Sequence, residues 1–266
     1  MSELLDELHN QLFDITYDIV KKCEENNIEY CLAWGSALGA VRHSNIIPWD
    51  DDVDMYISYK DYKKLKQIYI NENSEYFYQD VETNPEYYLF FSKIRKENTT
   101  SMTIADKNMN ISWGICVDLF PIFEYDKPQL SKWTKIKINI LRRIAYLPYY
   151  KFKGNKIGSL LYSIVGEKRR QKMFFSILDG IEKKGEYCMD LEDNNLEPFI
   201  MKKKDIFPGA KKKFGDINVN VPTDYDSYLR KAYGDNYMEI PKEGSKFRYA
   251  HDGIIVDCNK SYKEYK

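Results

Sequence analysis

The chain has 266 residues, 43% of them apolar, with 40 basic against 41 acidic side chains. That suffices for one large domain or a domain with a sizeable insertion, and a formal net charge of −1 gives the whole chain no bulk attraction to nucleic acid or anionic membrane. Five scattered cysteines (Cys23, Cys31, Cys116, Cys188 and Cys258) show no Cys-x-x-Cys or Cys/His spacing, which argues against structural zinc.

The charged start, MSELLDELHN, has no signal-peptide core, and no apolar run nears the roughly 20 residues that span a bilayer. A reducing cytoplasmic location is therefore expected. Leu5, Leu8, Leu12, Ile15, Ile19 and Val20 recur at helical spacing, so residues 2–26 read as an amphipathic helix ending at Asn26-Asn27. His9 falls on it as a surface histidine without a partner. Residues 28–34 read as a strand, leading into Gly35-Ser36 and a short helix to Val41. A Gly-Ser turn heading a helix offers N–H groups and a hydroxyl to a phosphate. Next come a loop with Arg42 and His43, Trp49, and the run Asp50-Asp51-Asp52-Val53-Asp54 opening a second strand, 52–57. Residues two apart on a strand share a face, so Asp52 and Asp54 project together, an arrangement that a cation stabilises. A solvated acidic turn is the alternative, and Asp50 and Asp51 either support the pair or only shape that turn.

Residues 60–70 read as a second amphipathic helix. Residues 87–95 read as a strand ending in Lys93 and Arg95, followed by a polar turn at Thr99, Thr100 and Ser101. The strand around 113–122 carries one acid, Asp118, between Val117 and Leu119. A carboxylate on a buried strand is costly unless paired or metal-bound.

Segment 127–174 holds thirteen basic residues and one acidic, Glu167, for a net of +12. With Trp133, Tyr146, Tyr149, Tyr150 and Phe152 interleaved, it reads as two or three helices broken at Pro148 and Gly154. Such a segment suits an anionic membrane surface, an anionic acceptor, or a solvated helical insertion. No nucleic-acid motif accompanies the charge, so nucleic acid is not an expected partner. After an acidic loop region, residues 214–221 read as a strand, and a helix from Asp224 to about Tyr233 follows, capped by Thr223 and stopped by Gly234. His251 lies near the end, as a surface residue or a functional one. The fold class is α+β, organised as a core (1–126), a basic helical insertion (127–184) and a C-terminal part completing the core (185–266).

The run G-S-A-L-G-A-V-R-H, followed by I-P-W-D-D-D-V-D, resembles the LicD family signature. Lys93-Ile-Arg95-Lys-Glu-Asn98-Thr99, Asp118-Leu-Phe-Pro121, and the segment from Phe214 through Tyr-Gly-Asp (233–235) also resemble that family. The resemblance implies a nucleotidyltransferase-like mixed sheet flanked by helices. It also implies catalytic, metal-ligating carboxylates Asp52, Asp54 and Asp118, with phosphate contacts from Gly35, Ser36, Arg42, Lys93 and Arg95. Oxygen ligands select Mg²⁺ or Mn²⁺. Enzymes of this family pass a phospho-alcohol, typically phosphocholine from CDP-choline, to a hydroxyl of a cell-surface glycan and release CMP. The expected partners are thus a CDP-activated donor and a glycan or glycolipid acceptor, at the inner face of the membrane if the basic segment docks there. Open alternatives are glycerol phosphate, ribitol phosphate or a phosphonate as the transferred group, true nucleotidyl transfer, and an inactive glycan-binding module. Trp34 and Trp49 are packing residues or stacking surfaces for a base or for choline.

Overall fold

The computed structural model describes residues 3–72, 74–191, 199–242 and 253–265. Helix α1 (Glu3–Glu25) buries Leu8, Leu12, Ile15 and Ile19 as one stripe, each side chain contributing about 1.5–3 kcal/mol of apolar burial. Strand β1 (Tyr30–Leu32) follows and is fully buried, but it stops two residues short of Trp34, which instead begins helix α2 (Trp34–Arg42). Strand β2 (Asp54–Ser58) leads directly into α3 (Tyr59–Asn71). Asp52 therefore lies just ahead of the strand in which the sequence placed it.

Strands β3 (Tyr76–Gln79), β4 (Ser92–Lys96) and β5 (Thr100–Thr103) come next, and then the long β6 (Ile115–Tyr125). The strand expected over 87–95 is confined to its end. Tyr87, Phe90 and Phe91 are buried as core-filling side chains outside the ladder, and the Tyr87 N–H closes a turn onto the Asn84 carbonyl. The polar turn expected at residues 99–101 is largely strand as well.

Four helices fill the basic segment: α4 (Lys132–Ala145), α5 (Leu147–Phe152), α6 (Lys156–Val165) and α7 (Glu167–Asp179). The helices are interrupted where Pro148 and Gly154 were expected to interrupt them: α4 ends at Ala145 just ahead of Pro148, and α5 ends at Phe152 just ahead of Gly154. Pro148 occupies the first turn of α5, where its missing N–H has no helical acceptor to serve. Arg170 of α7 is fully buried and donates to the carbonyls of Pro85, Tyr87 and Ala145, anchoring this layer to the core.

Strands β7 (Tyr187–Met189) and β8 (Ile200–Lys202), the short helix α8 (Lys203–Ile206), strands β9 (Ala210–Phe214) and β10 (Ile217–Val221), helix α9 (Tyr225–Tyr233) and strand β11 (Ile254–Asp257) complete the chain. The strand expected over 214–221 is two strands, a hairpin turning at Gly215 with φ +59°. Asp224, not Thr223, caps α9 by accepting from the Ser227 N–H, and Gly234 ends that helix. His251 lies outside the described residues.

The main sheet runs β1-β2-β6-β4-β3, with β7 continuing along the far end of β6 and β8 beyond it. Only β2–β6 is parallel, so the sheet is mixed. Helix α3 packs on β2, β3 and β6, while α1 packs on β4 and β6. With helices flanking a mixed sheet, the α+β class holds.

Candidate functional site

Parallel β2 and β6 set Asp54 opposite Asp118 in register. On the other side of β6, Lys93 of β4 is the register partner of Asp118, and its ammonium lies 2.6 Å from both carboxylate oxygens. The two side chains are only 14% and 17% exposed. Burial works against the Lys93 charge, but the Asp118 carboxylate outweighs it and the lysine pKa rises. Cys116 adds a long contact, with Sγ 3.5 Å from Asp118 Oδ1.

Asp54 is in a different position. Its carboxyl has no hydrogen-bond or ion-pair partner among the described residues. Burial, followed by the charges of Asp52 and Asp118, pushes its pKa well above the usual carboxylate range. The like charges of Asp52 and Asp118 disfavour ionised Asp54, a penalty that a divalent ion would relieve and that the Lys93 charge only partly offsets. Just upstream, carboxylate oxygens of Asp50, Asp51 and Asp52 lie within 4.8 Å of one another, the one group of three so placed among the described residues, and Asp54 and Asp118 are not part of it.

Helix α2 begins beside these carboxylates. Trp34 enters it in the left-handed region, φ +44°, a conformation costly for a non-glycine residue. The strained entry is fixed from both sides. The Ala33 N–H donates to the Asp54 carbonyl at 2.9 Å, and the Trp34 N–H donates to the Tyr228 hydroxyl at 2.9 Å. Tyr228 in turn donates to Tyr56, and Tyr56 to Asp190. Ser36 is buried, and its hydroxyl accepts from the Asp54 N–H at 2.8 Å. A Cβ at Gly35 would stand 2.9 Å from Asp50 Oδ2, so a larger residue here would push that carboxylate aside.

The expected site residues thus fall into two groups. Gly35, Ser36, Asp52, Asp54, Asp118 and Lys93 come together at one end of β2 and β6. Arg42 sits at the C-terminal end of α2, donating to the carbonyls of Tyr237 and Glu239 and to His43, 5.9 Å from the Trp49 ring. It acts as a latch on the C-terminal segment, although its charge is still felt by Tyr233. Arg95 is 3% exposed, donates to Gln79 and the Gly114 carbonyl, and lies over Trp113. Its guanidinium is hydrogen-bonded to these neutral partners and also borders the cavity beside Lys93.

Three residues escaped the sequence reading. His9, expected to lack a partner, donates to the Asp50 carbonyl at 2.7 Å and steadies the acidic loop. Tyr228 holds the Trp34 turn. The Tyr233 hydroxyl would stand 4.0 Å from a Gly35 Cβ, and burial followed by the charges of Asp54, Asp50 and Asp52 raises its pKa. No local pattern marks the last two, since five residues set Tyr228 and Tyr233 about 140° apart around α9. Trp34 packs edge-on against Tyr56 and Phe199, and Trp49 against His43. Beside Lys93 and Cys116 lies a cavity of about 180 Å³, walled by Tyr87, Tyr88, Trp113 and Arg95.

Comparison with known proteins converges on this region. Residues 27–139 match the sequence profile described as LicD/FKTN/FKRP, nucleotidyltransferase domain. The lipopolysaccharide cholinephosphotransferase LicD of Haemophilus influenzae is 26% identical over 237 residues, covering 83% of this chain and 86% of that protein. The human ribitol 5-phosphate transferase FKRP is 44% identical over 50 residues, or 19% of this chain and 10% of that protein.

Proposed function

Because this chain belongs to the LicD family, we propose that it transfers a phospho-alcohol, with phosphocholine from CDP-choline as the leading donor group, to a glycan hydroxyl and releases CMP. The observation that supports the reading is Asp54 in register with Asp118 beside the start of α2, buried and under the like charges of Asp52 and Asp118. Asp52 and Asp54 would hold Mg²⁺ or Mn²⁺, with Asp118 as a third ligand or as the base that accepts the acceptor hydroxyl's proton. The ion supplies charge neutralisation for the phosphate oxygens. The chain's own groups do the rest. The first-turn N–H groups of Gly35 and Ser36 bind phosphate, and Lys93 adds positive charge beside Asp118.

Ribitol or glycerol phosphate is the second reading. The cavity beside Lys93 contains Arg95, whose own hydrogen-bond partners are neutral. A guanidinium there repels a quaternary ammonium and suits hydroxyl groups.

The test is CMP release from CDP-choline, CDP-glycerol and CDP-ribitol, with lipopolysaccharide or teichoic-acid acceptors, in Mg²⁺ or EDTA. Metal-dependent release from one donor, abolished by Asp54→Asn, supports the reading and names the head group. Release that persists in EDTA or in Asp54→Asn contradicts it.

A further inference from the structure

Helix α6 is built the wrong way round for a globular protein. Its apolar residues Ile157, Leu160, Leu161 and Ile164 follow the i, i+3, i+4, i+7 spacing of one helix face, the face that ordinarily meets the core. Here they are 73%, 61%, 46% and 63% exposed. The helix's single buried residue is Gly158, which lies so close to Tyr150 of α5 that a Cβ would come within 2.4 Å of the Tyr150 Cβ. The small side of α6 therefore packs inward, against α5 and α7, and the large apolar side faces out. Asn155 caps its start by accepting from the Gly158 N–H at 2.8 Å, so the helix is a defined element in this orientation.

The surroundings say what covers it. Lys151 precedes α6, Lys156 opens it, and Lys168, Arg169 and Lys172 follow on α7, all exposed. They belong to a segment with thirteen basic residues and one acidic. Helix α4, in the same segment, exposes a further stripe of Trp133, Ile136 and Ile140. A second copy of the chain using this face symmetrically would bring two strongly cationic segments together and repel itself. An apolar ridge flanked in the chain by exposed cations complements a bilayer with anionic headgroups, where the ridge enters the acyl boundary and the cations meet the lipid charge.

We propose that α6 is a membrane-docking helix that seats the protein on an anionic lipid surface through Ile157, Leu160, Leu161 and Ile164. The described helices include none long and apolar enough to cross a membrane, so the attachment is a surface one. It is independent of which alcohol phosphate the site transfers.

Sedimentation of the purified chain with unilamellar vesicles tests this. Wild type binds vesicles of phosphatidylglycerol and phosphatidylethanolamine at low salt, binds pure phosphatidylcholine far less, and is released by high salt. Leu160→Glu with Ile164→Glu lowers the partition coefficient at least about tenfold without changing the circular dichroism spectrum. Lys168→Ala and Lys172→Ala each lower it about fivefold. The proposal is overturned if wild type does not bind anionic vesicles at low salt, or if the Glu pair leaves binding unchanged. It is also overturned if light scattering shows a dimer that the Glu pair dissolves, for then a second copy covers this face.

Discussion

Lys93 grips both oxygens of Asp118, while the carboxylate of Asp54, the register partner of Asp118 on the neighbouring strand, has no ion pair among the described residues. Lys93 is bonded to one of two facing carboxylates, and its charge only partly offsets the burial and like charges that act on the other. The consequences are measurable without knowing the donor.

The first concerns pH and metal. The folded protein holds the Asp54 pKa above its unfolded value, so the protonated form is favoured on folding. That contribution is complete below the ordinary carboxylate range and is lost as pH rises through the elevated folded value. A divalent ion reverses the penalty by binding the ionised form. Mn²⁺ or Mg²⁺ should therefore raise Tm by about 2–5 °C at pH 8 and by little at pH 5. Asp54→Asn should remove the metal response. Differential scanning fluorimetry across pH, with and without EDTA, reads this directly.

Lys93→Ala leaves Asp118 half-buried without its counter-charge. It should cost about 2–3 kcal/mol of stability and lower turnover by about 10²-fold or more. Added divalent ion should recover part of the lost Tm, because it supplies the missing positive charge. A variant as stable as wild type in EDTA would remove the ion pair from the account.

Gly35→Ala separates site from scaffold. Alanine in a helix is ordinarily favoured over glycine by about 1 kcal/mol, and the only side chain its Cβ meets closely is the movable end of Asp50. Tm should stay level or rise, while kcat/KM falls about tenfold or more as Asp50 is pushed aside. A loss of stability with unchanged activity would contradict the placement of Gly35 in the site.

Arg95→Met should behave oppositely. It orphans Gln79 and the Gly114 carbonyl in the strand edge, costing about 3 kcal/mol. The folded enzyme should keep its KM for the donor. A donor KM raised tenfold at unchanged stability would return Arg95 to the phosphate site.

Much of this was legible in the sequence because it is local. The α1 stripe, the start of α2 at Gly35-Ser36, and the position of Asp118 on an apolar strand follow from periodicity and from the cost of burying charge. What failed was non-local. Tyr87, Phe90 and Phe91 look like strand by composition, yet their burial serves the core and not the ladder. Phe214 to Val221 read as continuous because its turn is only Gly215-Asp216. His9 and Tyr233 lie 41 and 183 residues from Asp50, and no local pattern announces that they meet the same loop. Arg95 shares a strand face with Lys93, and only the position of Gln79 and Gly114 shows that its guanidinium is already engaged.

The central claim is that the phosphorus carried to the acceptor is the one bearing the alcohol. CDP-choline labelled with ³²P at either phosphate, incubated with wild type, Mg²⁺ and a glycan acceptor, tests it most directly. The account predicts that label next to choline moves to the glycan while label next to cytidine stays in released CMP. Label next to cytidine appearing on the glycan would mean nucleotidyl transfer at the same carboxylates, and would contradict the account.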